Sequence, residues 1–501
     1  MDFIDFMRLG ASVAFEPSNL FYCFVGVFIG TMVGVLPGIG PVGTMAILLP
    51  TTFGISPTTA IIMLAGIYYG AMYGGSTTSI LVNLPGEAAS VVTTLDGYQM
   101  ARQGRAGPAL GISAFGSFIA ATLSIIALQF IAVPLASAAL RFGPPEYFSV
   151  MVLAFVILTY LAQKSIVKAL MMAALGALVG TIGLDVITGM PRFTFDIPEL
   201  LDGVGLVPLA MGLFGISEIF VNVEKIVRQE IYETKIKNLL PSFKDWMESK
   251  WAILRGTVIG FIVGALPGPG ASVASFVSYA VEKRVSKRPE KFGTGAIEGV
   301  AGPESANNSA TAGSMVPLLT MGIPGSLATA MLLGALMIHG ITPGPLLVKQ
   351  HPDLFWGVIV SMYIGNVMLL IINLPMIGIW VRLLRIPYSL FFPLIVLVCM
   401  IGGYSVRHTT VDLWLMLIFG VVGYLFRKFE YEPAPLVLAF VLSGLFDETL
   451  RQSLILSHGS FSIFFVRPIS CGCLIFAALI LGSSILSSLR AFSSQRRGER
   501  R

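Results

Sequence analysis

Two kinds of residue could act together in this sequence: Pro-Gly pairs set inside apolar runs, and clusters of Ser, Thr and Asn beside them. One pair of breaks is Gly34-Val35-Leu36-Pro37-Gly38-Ile39-Gly40 and Gly264-Ala265-Leu266-Pro267-Gly268-Pro269-Gly270. A second pair is Leu84-Pro85-Gly86 and Ile323-Pro324-Gly325. A helix hides its backbone polar groups, and a break exposes them. Lipid cannot satisfy them, so a break at membrane depth lines a cavity or is buried in protein. Exposed N–H groups at a half-helix start favour anions, and freed carbonyls can hold Na⁺. Glycine lets a ligand approach the backbone closely. The neighbouring hydroxyls and amides can bind carboxylate oxygens or a dehydrated Na⁺ without a fixed charge, which suits a site that must release its ligand. The candidate binding residues are therefore Pro37, Gly38, Gly40, Ser76, Thr77, Thr78, Asn83, Pro85, Gly86, Pro267, Gly268, Gly270, Ser272, Asn307, Asn308, Ser309, Pro324, Gly325 and Ser326. The competing account is that the breaks are kinks and that the small polar residues pack helices together.

The elements that must position these residues follow from composition. The chain has 501 residues, 55% hydrophobic and only 12% charged, against roughly 25% charged in a soluble domain. Its mean hydropathy is +0.84. This excludes a soluble enzyme, a disordered chain and a nucleic-acid binder, and implies an all-α polytopic membrane protein. Apolar segments suited to spanning fall near 20–36, 107–133, 145–161, 165–188, 200–221, 353–381, 388–403, 409–426, 433–446 and 469–489. The acidic start of the chain does not read as a secretory signal.

A polar stretch at 222–250 divides the sequence nearly in half. The two sets of breaks lie in the same order on either side, Gly26 and Gly30 fall on Gly256 and Gly260, and 160–176 aligns without a gap to 404–420. An internal duplication follows. The divisions are 1–221 and 251–466 as membrane repeats, 222–250 as a cytoplasmic linker, 467–490 as an extra transmembrane helix and 491–501 as a basic cytoplasmic tail. The Lys-rich linker and Arg-rich tail belong in the cytoplasm and the acidic start outside, so the repeats are expected to be inverted. Residues 252–266 and 271–281, with the basic cluster Lys283-Arg284 after them, read as a re-entrant hairpin. Its arms would be about 22 and 16 Å long, enough to reach mid-membrane. Segment 20–50 would be its counterpart from the opposite side. Breaks at corresponding positions of two inverted halves are the best sequence pointer to a transporter's binding site.

Other chemistries find little support. The four cysteines, Cys23, Cys399, Cys471 and Cys473, lie in apolar stretches and read as small hydrophobes. No metal-ligand spacing, P-loop or Gly-x-Ser-x-Gly elbow occurs, so no catalytic residue, metal or cofactor is expected. Energy should come from an ion gradient. Asp185, Glu218, Asp412, Asp447 and Glu448 lie near expected helix ends, where capping or interfacial roles are anticipated. His339 is the candidate base near a break, without an evident nucleophile partner. An intramembrane enzyme and a carboxylate channel remain as alternatives to a carrier.

The chain closely resembles the TctA family, the large permease subunit of bacterial tripartite tricarboxylate transporters. The resemblance rests on Gly30-Thr31-Met32-Val33-Gly34-Val35-Leu36-Pro37-Gly38-Ile39-Gly40-Pro41, on Tyr73-Gly74-Gly75 with Leu84-Pro85-Gly86, and on Leu95-Asp96-Gly97-Tyr98. It continues through 264–270, Pro303-Glu304-Ser305-Ala306-Asn307-Asn308 and Ile341-Thr342-Pro343-Gly344-Pro345. It implies a multi-pass protein of the bacterial inner membrane. It also implies a small four-helix (TctB-like) membrane subunit and a periplasmic (TctC-like) substrate-binding protein as partners. Citrate or another carboxylate would be imported by symport with Na⁺ or H⁺. The resemblance supplies no list of binding residues, and it leaves the particular carboxylate, the coupling ion and a rocking or elevator motion open.

Overall fold

Glycines four residues apart put a smooth stripe on one face of a helix, and such stripes let two backbones touch. The chain carries two: Gly26, Gly30 and Gly34, and Gly256, Gly260 and Gly264. In the computed structural model, which describes residues 3–36, 40–160, 165–224, 238–268, 270–383 and 391–482, both stripes are used.

In chain order the helices are α1 (Phe3–Ala14), α2 (Pro17–Val35), α3 (Gly40–Leu48), α4 (Pro57–Val82), α5 (Thr93–Arg102), α6 (Ala106–Ala139), α7 (Pro144–Tyr160), α8 (Ile166–Gly180), α9 (Leu206–Ala210) and α10 (Ser217–Glu224). They continue as α11 (Phe243–Ala265), α12 (Ala271–Val285), α13 (Glu298–Met321), α14 (Leu327–Ile338), α15 (Leu347–Gln350), α16 (Pro352–Asn373), α17 (Ile377–Leu383), α18 (Phe391–Arg407), α19 (Thr410–Lys428), α20 (Pro433–Leu456), α21 (Ile463–Val466) and α22 (Pro468–Gly482). A π-helical turn, Met211–Ile216, joins α9 to α10. Among the described residues five helices are long and apolar enough to cross a membrane: α2, α6, α16, α19 and α20. The architecture is that of an all-α membrane protein.

The chain forms two compact units. The larger comprises Met1–Ala139, Gly205–Leu266 and Gly270–Leu425. Its centre is α4 and α13, buried from Thr59 to Leu81 and from Gly299 to Thr320. The α2 stripe meets α4 so closely that a Cβ at Gly26, Gly30 or Gly34 would stand 2.3, 2.5 or 2.2 Å from the carbonyl oxygens of Met63, Ile67 and Ala71. The α11 stripe meets α13 in the same way, with 2.3, 2.2 and 2.3 Å to those of Gly302, Ala306 and Ala310. Helix α13 stays continuous through Pro303 and Pro317.

Both buried helices end in a left-handed residue, Asn83 at φ 59° and Gly322 at φ 71°. A capping box follows each, headed by Glu87 in the first case and Ser326 in the second. Helix α11 begins at Phe243, inside the polar stretch. Its capping box joins Ser242 to Asp245, and Arg105 reaches the same carboxylate at 2.8 Å. Helix α12 folds back along α11, and the two arms are closed by a bidentate pair. Arg255 Nε and Nη2 donate to Glu282 Oε1 and Oε2 at 2.7 and 2.5 Å.

The smaller unit comprises Leu140–Val204, Pro267–Pro269 and Phe426–Arg501. Here α20 packs on α8, with a Cβ at Gly176 falling 2.0 Å from Leu436 O. The apolar run expected to span to 188 stops being helical at Gly180. A two-stranded antiparallel hairpin follows, β1 (Gly183–Leu184) on β2 (Pro191–Arg192). The reason is local. Asp185 Oδ1 accepts the backbone N–H groups of Ile187 and Thr188 at 2.8 and 3.0 Å, which turns the chain. Arg192 and Arg451 then pair with its other oxygen. Asp412, in the larger unit, forms a bidentate pair with Arg407 at the start of α19.

Candidate functional site

The breaks become helix ends that lock onto the glycine stripes. Leu36 caps α2. Pro37 and Gly38 lie outside the described residues. Gly40, at φ 65°, opens α3 and faces open space. The Pro85-Gly86 turn is pressed onto the end of α2, where Thr78 Oγ1 also donates to Val35 O at 2.9 Å. Asn83 is exposed and serves as the left-handed cap of α4.

The Pro324-Gly325 turn holds the equivalent place on the end of α11. A Cβ at Gly325 would stand 2.7 Å from Gly264 O. Ser326 then caps α14, with its oxygen accepting Thr329 N–H at 3.2 Å. Its hydroxyl donates to Tyr68 OH at 3.2 Å, so α4 reaches this second set of turns. Gly270, at φ 50°, places its α-carbon beside Ser326. Ser272 is half-buried in the first turn of α12. Pro267 and Gly268 fall in the smaller unit.

The polar clusters converge on a residue outside that list of candidates, Glu304. It lies in α13 and is fully buried. Ser76 of α4 donates to its Oε2 and Thr93 of α5 to its Oε1. Asn307 Nδ2 donates to Oε2 at 3.3 Å. Asn308 Nδ2 contacts Asn307 Oδ1 at 2.6 Å, Ser117 Oγ at 2.8 Å and the Glu304 carbonyl at 3.1 Å. Ser309 works differently. Its hydroxyl donates to Thr257 O and meets Ser124 Oγ, each at 2.6 Å, pinning α13 to α11 and α6.

Beside this cluster a small cavity is lined by Tyr73, Ser76, Thr77, Ser113 and Asn373. It has room for about one water. A second cavity, lined by Tyr69, Tyr73, Thr311, Met362 and Asn366, lies on the other side of Tyr73, whose hydroxyl donates to Asn366 Oδ1 at 2.7 Å. Buried acceptors Asn308 Oδ1 and Asn373 Oδ1 are left without a protein partner. So is Glu87 Oε1, while its Oε2 accepts Ala89 N–H at 2.6 Å. This arrangement offers hydroxyls, amides and two carboxylates, Glu304 and Glu87, and among the described residues no nucleophile poised beside a base. His339 Nε2 lies 3.2 Å from Thr52 Oγ1, but that hydroxyl gives its proton to Leu49 O at 2.7 Å. Among the described residues no group of His, Cys, Asp and Glu is arranged to hold a metal ion.

Glu304, Thr93, Ser117 and Tyr73 stand outside the list of candidates, although the motifs quoted above include Tyr73 and Glu304. An acid inside an otherwise uncharged helical run was the available signal for Glu304. Thr93 carried none, because its role depends on α5 packing against α13.

Residues 20–438 match the family model described as "Tripartite tricarboxylate transporter TctA family". The chain belongs to the TctA family. As a TctA protein it is a tricarboxylate-transporter subunit, one part of a tripartite assembly and a multi-pass membrane protein. The family is one of transporters rather than enzymes. A relative from Agrobacterium vitis, "Uncharacterized 52.8 kDa protein in TAR-I ttuC' 3'region", is 50% identical over 491 residues, 98% of each chain. Another from the same organism, "Uncharacterized protein in TAR-II ttuC' 3'region", is 47% identical over 236 residues, covering 47% of this chain and 98% of the relative. No solved structure matches the TctA chain.

Proposed function

We propose that the chain is the large permease subunit of a binding-protein-dependent secondary transporter of the bacterial inner membrane. It imports citrate-like tricarboxylates or related carboxylates by symport with Na⁺ or H⁺. A small four-helix membrane subunit and a periplasmic binding protein work with it. The observation that carries this reading is the pair of matched turns, Pro85-Gly86 and Pro324-Gly325, each seated on the end of a glycine-striped helix beside a buried polar helix.

The same correspondences support duplication of the chain: two stripes, two left-handed caps and two capping boxes in the same order. Inversion of the halves is part of the proposal and rests on their charge pattern. The hydroxyls and amides around the turns suit a carboxylate that must be released each cycle, and the start of α14 adds backbone N–H donors.

The test is uptake of labelled citrate into cells lacking their own citrate carriers. The permease is expressed with its small subunit and binding protein, with and without an ion gradient. Accumulation that needs all three proteins and collapses with the gradient supports the symporter. Equilibration down the gradient without the partners favours a channel and overturns the reading.

A further inference from the structure

A carboxylate buried without a cationic partner carries a large desolvation cost, and taking up a proton removes the charge. Glu304 is in that position. It is fully buried, and among the described residues no Lys, Arg or His pairs with it. Two acids on the packed elements are occupied elsewhere. Asp96 on α5 accepts Tyr279 OH and the backbone N–H groups of Gly293, Gly295 and Ala296 at 2.8–2.9 Å. Glu282 on α12 is held by Arg255 of α11. Helices α4 and α6 contain no Asp, Glu, Lys, Arg or His. Among the described residues, Tyr73 and Glu87 lie within electrostatic reach of Glu304.

We propose that Glu304 takes up and releases the coupling proton, and that Ser76 reverses its hydrogen bond between the two states; this deepens the symport reading above and rests on it. In the charged state Oε2 accepts from Ser76 and Asn307, and Oε1 accepts from Thr93. A proton added to Oε2 donates to Ser76 Oγ. The Ser76 hydroxyl proton then turns to Met72 O, 3.3 Å away. Neither state orphans the serine. The amides favour a proton over a metal ion. Asn308 Nδ2 faces both the Glu304 carbonyl and Asn307 Oδ1, which fixes both amides and aims Asn307 N–H at the carboxylate. Donors thus fill positions where Na⁺ would need oxygen ligands.

The experiment uses the full chain with its small subunit in proteoliposomes and binding protein added, comparing wild type, Glu304→Gln, Glu304→Asp and Ser76→Ala. Infrared difference spectra between acid and alkaline pH read the C=O stretch of a protonated carboxyl directly, without any substrate. That band should be present in wild type, absent in Glu304→Gln, and moved in its pH midpoint in Glu304→Asp and Ser76→Ala. Labelled citrate reads coupling. Glu304→Gln should lose pH-gradient-driven accumulation about tenfold or more. An unchanged band in Glu304→Gln, or accumulation driven by Na⁺ but indifferent to the pH gradient, overturns the assignment. Should Glu304→Gln fail to assemble, the shifted midpoint of Ser76→Ala carries the decision, and an unshifted one overturns it. If wild type carries no citrate, the substrate reading fails, and the infrared band still decides Glu304.

Discussion

Gly86 sits on the backbone of Gly34: a Cβ on Gly86 would stand 1.9 Å from the Gly34 carbonyl oxygen and 2.7 Å from the α-carbon of Gly75. Neither neighbour is a side chain that can swing away. Gly86→Ala therefore has to move helix backbone, at a cost of at least about 1–3 kcal/mol. Gly325→Ala meets Gly264 O at 2.7 Å and Ser314 at 3.0 Å and should be milder. Thermal unfolding of the purified variants should rank wild type above Gly325→Ala above Gly86→Ala. The reverse order would show that the two turns do not bear on the glycine stripes as described.

Ser76 and Asn308 both belong to the Glu304 cluster, but they hold it differently. Ser76→Ala removes one donor to the carboxylate and leaves the helices in place, so citrate uptake should fall about tenfold at unchanged membrane abundance. Asn308→Ala also leaves Asn307 Oδ1 without its donor and takes one of the two hydrogen bonds of Ser117 Oγ. It should lower uptake and also stability, by about 1–3 kcal/mol. Quantitative blotting of membranes alongside uptake separates the two. Wild-type transport in both variants removes these residues from the site.

The Arg255–Glu282 pair closes the α11–α12 hairpin from one partly exposed and one buried end, with 39% of the arginine side chain and 2% of the glutamate accessible. Removing the arginine alone strands a buried carboxylate. Arg255→Ala should cost about 1–3 kcal/mol, below the range of fully buried pairs because the arginine is partly solvated. Arg255→Met combined with Glu282→Met should be closer to wild type than either single change. Equal loss in single and double variants in a melting assay would argue against the pair as the clasp.

The hairpin β1–β2 hangs on Asp185. The backbone N–H of Thr188 holds its carboxyl below the usual aspartate range, with help from Arg451 and against the effect of burial. A depressed carboxylate contributes its stability above the unfolded value, about 3.9, and loses it as pH falls through the lower folded value. The hairpin should therefore stay anchored on acidification to about pH 4. Asp185→Asn should loosen it even at neutral pH. Limited proteolysis around Val186, 87% exposed, gives the readout, since this segment should become more open to protease in Asp185→Asn. Equal cleavage in both proteins at neutral pH would remove Asp185 as the anchor.

Helix positions were legible wherever apolar density marked them, as with α6, α16 and α20. The two helices that matter most were not read as spans. Gly, Ser and Thr interrupt the apolar residues of α4, and with Asn those of α13, because every face is covered by protein, so they lack the hydropathy of a lipid-facing helix. The Pro-Gly breaks were visible, because turn geometry is a local demand on residue type, whereas Gly26, Gly30, Gly256 and Gly260 were read only as matched positions of the repeat and not as packing faces. The partners of Glu304 were not, since Ser76 and Thr93 lie 228 and 211 residues away. Run 165–188 read too long for the same reason that α4 read too polar. Hydropathy reports average surroundings, and the Asp185 turn is set by a few hydrogen bonds.

Backbone resting on backbone has a mechanical corollary. Along the stripes, α2 meets α4 and α11 meets α13 backbone to backbone, so at those positions neither pair has side chains that could change rotamer to absorb a sliding motion. Each pair behaves as a double-width strut that must travel or stay as one piece. A movement of any one of these four helices thus carries its partner with it.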